Sequence, residues 1–229
     1  MKPTSQSSAP SVRFQEKWVT VDSVRMHAQV APAKCAQPMR PFVFVPGLGM
    51  SHRYFVPLAT QLASHADVYL LDLPGHGRSA SGSRLTRIEQ LSDVLHAWLE
   101  AAGLEQAVLV GNSLGAQIAV DYALRYSRRV RGLALLGATF DPRARSLLPL
   151  AKRVLRTGLH EKATLYPLLV GDYLKALPRL LAEYRVMVAD QIERKPPQLA
   201  VPVLHVQSER DFIPPADWPR QLCDKTSPG

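Results

Sequence analysis

No apolar run in the 229-residue chain approaches the ~18 residues that a membrane-spanning helix requires, so no membrane partner is expected. The first ten residues are polar and lack the apolar centre of a secretory leader. Residues 1–15 read instead as a disordered tail. Cysteine is scarce: Cys35 and Cys223 stand far apart, without the spacing of a metal site. Two free thiols in a reducing, cytoplasmic compartment are the simplest reading, and neither a metal nor a cofactor is expected. Acidic residues are also in short supply, 19 against 28 Lys and Arg, which leaves a net charge of +9. Such a balance can serve nucleic acid or an anionic membrane. No basic stripe is interleaved with aromatics and no nucleic-acid motif occurs, so the charge reads as a solvated basic surface. Internal repeats and low-complexity segments are absent as well.

What is present is ample apolar material, 46% of the chain, enough for one large domain with an inserted subdomain. Two β-rich runs, 17–21 and 24–30, flank Asp22-Ser23 and predict an antiparallel hairpin. A loop over 31–41 leads to the buried strand Phe42-Val43-Phe44-Val45. That strand stops at Pro46-Gly47-Leu48-Gly49. A helix over 54–64, a strand over 68–73 and a glycine-rich loop over 74–79 follow. Ile88, Leu91, Leu95, Trp98 and Leu99 mark an amphipathic helix, with Thr86 as N-cap, Glu89 as its capping-box partner and Gly103 as its stop. Strand, helix and strand then repeat over 107–136. This alternation predicts an α/β fold: a mostly parallel, doubly wound sheet entered by the hairpin. In such sheets the site lies beyond the carboxyl ends of the strands.

The alternation breaks over 141–199. Apolar residues at helical spacing recur there without strand signals, and eleven Lys or Arg stand against six Asp or Glu. An exposed helical face accounts for that charge; an acidic substrate or partner is the alternative. The segment reads as a helical lid emerging at the crevice end of the sheet. Residues 16–140 form the core, and 200–229 return to it with a last strand over 202–207 and a helix beginning near Ala216.

The centre of the pattern is Gly111-Asn112-Ser113-Leu114-Gly115. An apolar strand ends, a lone serine follows, and an apolar-periodic helix begins at once. This is the G-x-S-x-G nucleophile elbow. A side chain at Gly111 or Gly115 would collide where strand and helix backbones cross. The turn lifts the Ser113 hydroxyl clear of the sheet and aims the first amides of the helix at it.

With this elbow, Val45-Pro46-Gly47-Leu48-Gly49 and Asp72-Leu73-Pro74-Gly75-His76-Gly77-Arg78-Ser79, the chain resembles an α/β-hydrolase from about Val19 to Pro215. Pro46 stands where the family usually has His. The resemblance implies Ser113 as nucleophile and the N–H groups of Leu48 and Leu114 as an oxyanion hole. It implies Asp211 as the acid, with Glu209 as a substitute. Gly47, Gly49, His52, Asn112 and Phe140 become candidates to line the pocket. The expected reaction is acyl transfer from a small, largely apolar ester to water through Ser113.

The family's base is a histidine some tens of residues beyond the acid, after an eighth strand. Here 18 residues follow Asp211 and none is histidine. The C-terminal strand and final helix of the family are expected to be missing, leaving the seventh strand as an edge open to self-association. His205 lies too far down its strand, and the loop of His76 is structural in the family. His52 and His160 are the remaining possibilities, whereas His27, His65 and His96 read as surface or helix positions. An impaired hydrolase and a non-catalytic ligand-binding protein both follow. Carbon–carbon hydrolases, haloperoxidases and lyases share the scaffold.

Overall fold

The computed structural model describes residues 12–82, 87–137, 153, 156, 166–208 and 217–226. Strands β1 (Gln15–Val21) and β2 (Val24–Ala31) form the hairpin, with Gln15 opposite Val30 and Val21 opposite Val24. Both turn residues, Asp22 and Ser23, take positive φ (46° and 66°). That is the tight hairpin geometry whose twist matches the strands it joins.

The sheet continues with β3 (Met39–Val45), β4 (Ala66–Leu71), β5 (Ala107–Asn112), β6 (Val130–Leu136) and β7 (Val203–Val206). Its strand order is β1-β2-β4-β3-β5-β6-β7, antiparallel from β1 through the β2–β4 pair and parallel beyond. The expected α/β architecture with its antiparallel entry is therefore present. Strand β3 begins at Met39, earlier than the apolar run suggests. Its exposed first residues pair with β4 through an irregular register between Met39 and Phe42.

Helices α1 (Val56–Leu62), α2 (Ile88–Ala101) and α3 (Leu114–Arg125) connect the central strands. Ile88, Leu91, Leu95, Trp98 and Leu99 of α2 all face the core. Each such side chain contributes roughly 1.5–3 kcal/mol of burial. The N-terminus of α2 differs from expectation. The helix starts at Ile88 with Arg87 as N-cap, and Gln90, rather than Glu89, accepts the Arg87 backbone N–H at 3.2 Å. Thr86 lies outside the described residues. Gly103, at φ 78°, ends the helix as expected.

After β6 the next described element is α4 (Tyr166–Ala189), 24 residues long with Pro178 inside it. It begins well before the spacing of Leu177, Leu180 and Tyr184 suggests. The helix expected over residues 147–155 falls outside the described residues, apart from Arg153. After β7, α5 (Trp218–Thr226) appears where a helix was expected and buries Trp218 and Leu222 in the main core. Among the described residues β7 is an edge of the sheet, with Leu204 and Val206 exposed.

Candidate active site

Ser113 sits between β5 and α3 with φ 51° and ψ −112°, a conformation that L-residues rarely adopt. Its N–H donates to Leu136 O at 3.1 Å and its carbonyl accepts from Ala116 N at 3.0 Å. These bonds tie the strained residue to the neighbouring strand and to the first turn of α3. The two elbow glycines are sterically required. A Cβ on Gly111 would lie 2.4 Å from Gly115 O, and one on Gly115 would lie 2.0 Å from Val45 O. All the opposing atoms are backbone, so Gly115→Ala forces β3, β5 and α3 apart. That variant is expected to lose about 3 kcal/mol or more, read as a lowered urea midpoint. An unchanged midpoint contradicts the packing.

The loop after β3 folds against the elbow. Met50 N–H donates to Gly47 O at 3.1 Å, and Gly49 takes φ 70°, which closes a tight turn around Leu48. A Cβ on Gly47 would approach Asn112 Oδ1 to 2.7 Å. Gly47 and Asn112 are thus adjacent because glycine lets the two loops touch. Leu114 is fully buried at the start of α3.

The loop after β4 is organised by Asp72, whose carboxylate is completely buried. It accepts hydrogen bonds from His27 Nδ1 (2.8 Å), His52 Nδ1 (2.9 Å), His52 N (2.8 Å) and Arg78 N (2.9 Å). Burial alone pushes a carboxyl up, but the bonds from His27 and His52 outweigh it and hold Asp72 well below the usual carboxylate range. Ser79 Oγ donates to Asp72 O at 2.7 Å and accepts from His27 N at 2.9 Å, which ties the loop to β2. His27, expected at the surface, is therefore fully buried. The strand pattern hides this because its partner comes from 45 residues away. His52 has its Nδ1 committed to the same carboxylate. His27, His52 and Asp72 are ligand types that could hold a metal ion, with donor atoms within 4.8 Å of one another. As placed, those atoms satisfy one another by hydrogen bonding.

His76 joins this loop to the one after β3. Its Nδ1 lies 3.2 Å from Pro74 O, which can only accept, so Nδ1 carries the proton. Nε2 then accepts the Gly49 N–H at 3.2 Å. Glu183 Oε2 of α4 also lies 3.1 Å from Nε2. Helix α4 grips both loops with polar groups. Asp172 accepts from Ser51 N (3.0 Å) and Ser51 Oγ (2.5 Å) and pairs with Arg53. Lys175 reaches Gly77 O, and Tyr173 and Leu180 lie close against Gly49. A cavity of about 250 Å³ lies between part of α4 and the core, bounded by Leu73, His76, Leu91, Leu114, Glu183 and Val186.

Gly47, Leu48, Gly49, Asn112, Ser113 and Leu114 thus lie at the carboxyl ends of β3 and β5, whereas His52 is turned to Asp72 and His27. Asp211, Glu209, Phe140 and His160 lie outside the described residues. Among the described residues no side chain hydrogen-bonds Ser113 Oγ. His205 of β7 bonds instead to Thr226 Oγ1 at 3.1 Å. Sequence reasoning missed Asp172 and Glu183. Both are acidic residues on a helix that reads as an exposed face; the Ser51 amide and hydroxyl account for the inward direction of Asp172, and Arg179 pairs with Glu183.

Comparison with known proteins agrees with the fold. The alpha/beta hydrolase fold family matches residues 40–188, and the chain belongs to it. The pimeloyl-[acyl-carrier protein] methyl ester esterase of Xylella fastidiosa (strain 9a5c) is 41% identical over 97 residues, which cover 42% of this chain and 36% of the esterase. The abhydrolase domain-containing protein abhd-5.2 of Caenorhabditis elegans is 34% identical over 99 residues, 42% of this chain and 22% of that protein. The matches therefore span well under half the length of these two curated relatives. Among solved structures, the enol-lactonase from Burkholderia xenovorans LB400 superposes with a TM-score of 0.72 at 18% identity. That superposition covers 91% of this chain and 87% of the lactonase, and shows a shared fold.

Proposed function

We propose that the chain is a serine hydrolase that cleaves an ester or similar acyl bond of a small, largely apolar substrate. The observation that carries this is Ser113 held at φ 51° at the apex of the β5–α3 turn. Strain of this kind persists only where surrounding structure enforces it, and it concentrates at reactive sites. Ser113 Oγ attacks the acyl carbon as a base takes its proton, the N–H groups of Leu48 and Leu114 receive the oxyanion, the ester C–O bond breaks as that proton passes to the leaving alcohol, and water then hydrolyses the acyl–Ser113 bond. Asp211 is the acid in this reading, and α4 belongs to the lid. The methyl ester esterase among the relatives supports an ester as the scissile bond.

A second reading is favoured by the lack of any described hydrogen-bonding partner for Ser113 Oγ: a ligand-binding member of the fold without turnover. Hydrolysis of short-chain p-nitrophenyl esters separates the two. The hydrolase reading expects turnover in the wild type that disappears in Ser113→Ala. Ligand binding that survives Ser113→Ala, with no wild-type turnover, supports the second.

A further inference from the structure

Helix α4 buries Tyr184, Val186 and Met187 in the core but also buries acidic side chains and exposes an apolar stripe. Its acidic residues, Asp172 and Glu183, are buried against the core, while Val170, Leu174, Leu177 and Leu181 point outward, each more than half exposed. Spacings of four, three and four residues set these four on one stripe of the helix. Of the ten large apolar side chains exposed among the described residues, six belong to this helix: these four, Tyr166 and Tyr173. A contiguous apolar stripe of that kind marks an interaction surface rather than ordinary surface scatter. The inward polar contacts explain why the helix cannot roll its apolar side onto the core. Asp172 is held by Ser51 and Arg53, Glu183 lies beside His76 and Arg179, and Lys175 is bound to Gly77 O.

We infer that this stripe docks the protein on an anionic lipid surface. Charge selects the occupant. The exposed charged residues of α4 are Arg185 and Lys175, the latter also donating to Gly77 O; both are basic, and the whole chain carries a net charge of +9. A second copy meeting the stripe would bring two strongly positive molecules together, whereas anionic headgroups attract both residues. A helix lying in the interface needs an apolar face flanked by basic residues and no spanning length. The expectation of no membrane partner rested on the absence of a spanning run. Among the described residues no helix is long and apolar enough to cross a membrane, and surface docking does not require one. The stripe also stands independently of any chemistry at Ser113.

Vesicle co-sedimentation of the full chain tests this, with phosphatidylcholine vesicles that contain or lack phosphatidylserine. The wild type is expected to bind the phosphatidylserine vesicles and to bind more weakly as salt rises. The double variant Leu174→Gln/Leu177→Gln keeps the charge and helix propensity, and both side chains already face water. It is expected to bind about tenfold more weakly or less, with an unchanged circular dichroism spectrum. Equal binding by the variant overturns the proposal, because the basic surface alone then suffices. Failure of the wild type to bind overturns it too. So does a wild-type dimer in sedimentation equilibrium that the double variant dissociates, since a second copy then covers the stripe.

Discussion

Asp72→Asn is expected to lower the stability of the fold by about 3–5 kcal/mol, the cost of breaking a buried, hydrogen-bonded charge network. At roughly 2–4 °C per kcal/mol for a chain of this size, the melting temperature falls by about 6–20 °C. The carboxylate accepts from His27, His52 and two backbone amides at once. An asparagine offers one acceptor oxygen and turns an NH₂ group toward donors, so buried N–H groups are left unpaired. The pH dependence follows from the direction of the shift. Asp72 titrates below its unfolded value, so its contribution is complete above about pH 4 and is lost as pH falls further. The gap between wild type and variant should therefore close below about pH 4, measured as urea midpoints across pH. A gap that stays constant down to the acid limit contradicts the assignment.

Ser113→Gly and Ser113→Ala should divide activity from stability. Both remove the proposed nucleophile, and both are expected to lower ester turnover by on the order of 10³-fold or more. Only glycine relieves the backbone strain at φ 51°. That relief is worth about 1–3 kcal/mol, offset by glycine's greater unfolded-state freedom of about 0.5–1 kcal/mol. Ser113→Gly is thus expected to unfold about 1 kcal/mol later than wild type while being inactive, and Ser113→Ala to keep wild-type stability. Thermal unfolding with parallel rate measurements reads both. Stability lost in the glycine variant would mean that the elbow is not strained.

Much of the fold was legible because its signals are local. Short apolar strands, the Asp22-Ser23 turn and the periodicity of α2 follow from neighbouring residues. The elbow was legible for the same reason: Gly111, Ser113 and Gly115 are fixed by one turn, and the close approaches at both glycines bear that out. Its setting was not legible. His27 reads as a surface position until Asp72 arrives from the loop after β4, and His52 reads as a pocket candidate until the same carboxylate claims its Nδ1. Helix α4 misleads in the opposite sense. Hydrophobic periodicity marks Leu177, Leu181, Tyr184 and Met187 alike as apolar helix positions, yet Leu177 and Leu181 face outward while Tyr184 and Met187 are buried beside Asp172 and Glu183. Beside the burial of Tyr184, Val186 and Met187, the Ser51 and Arg53 donors that hold Asp172 decide which face turns inward. Non-local polar partners of this kind leave no periodic trace in a sequence.

The central claim is that Ser113 is a positioned, reactive nucleophile. Incubation of the folded protein with a fluorophosphonate, followed by peptide mass spectrometry, tests it most directly. The account predicts a single covalent adduct on the peptide containing Ser113, absent in Ser113→Ala and lost on prior unfolding. A folded wild-type protein that remains unlabelled at Ser113, or labelled equally at other serines, would contradict it.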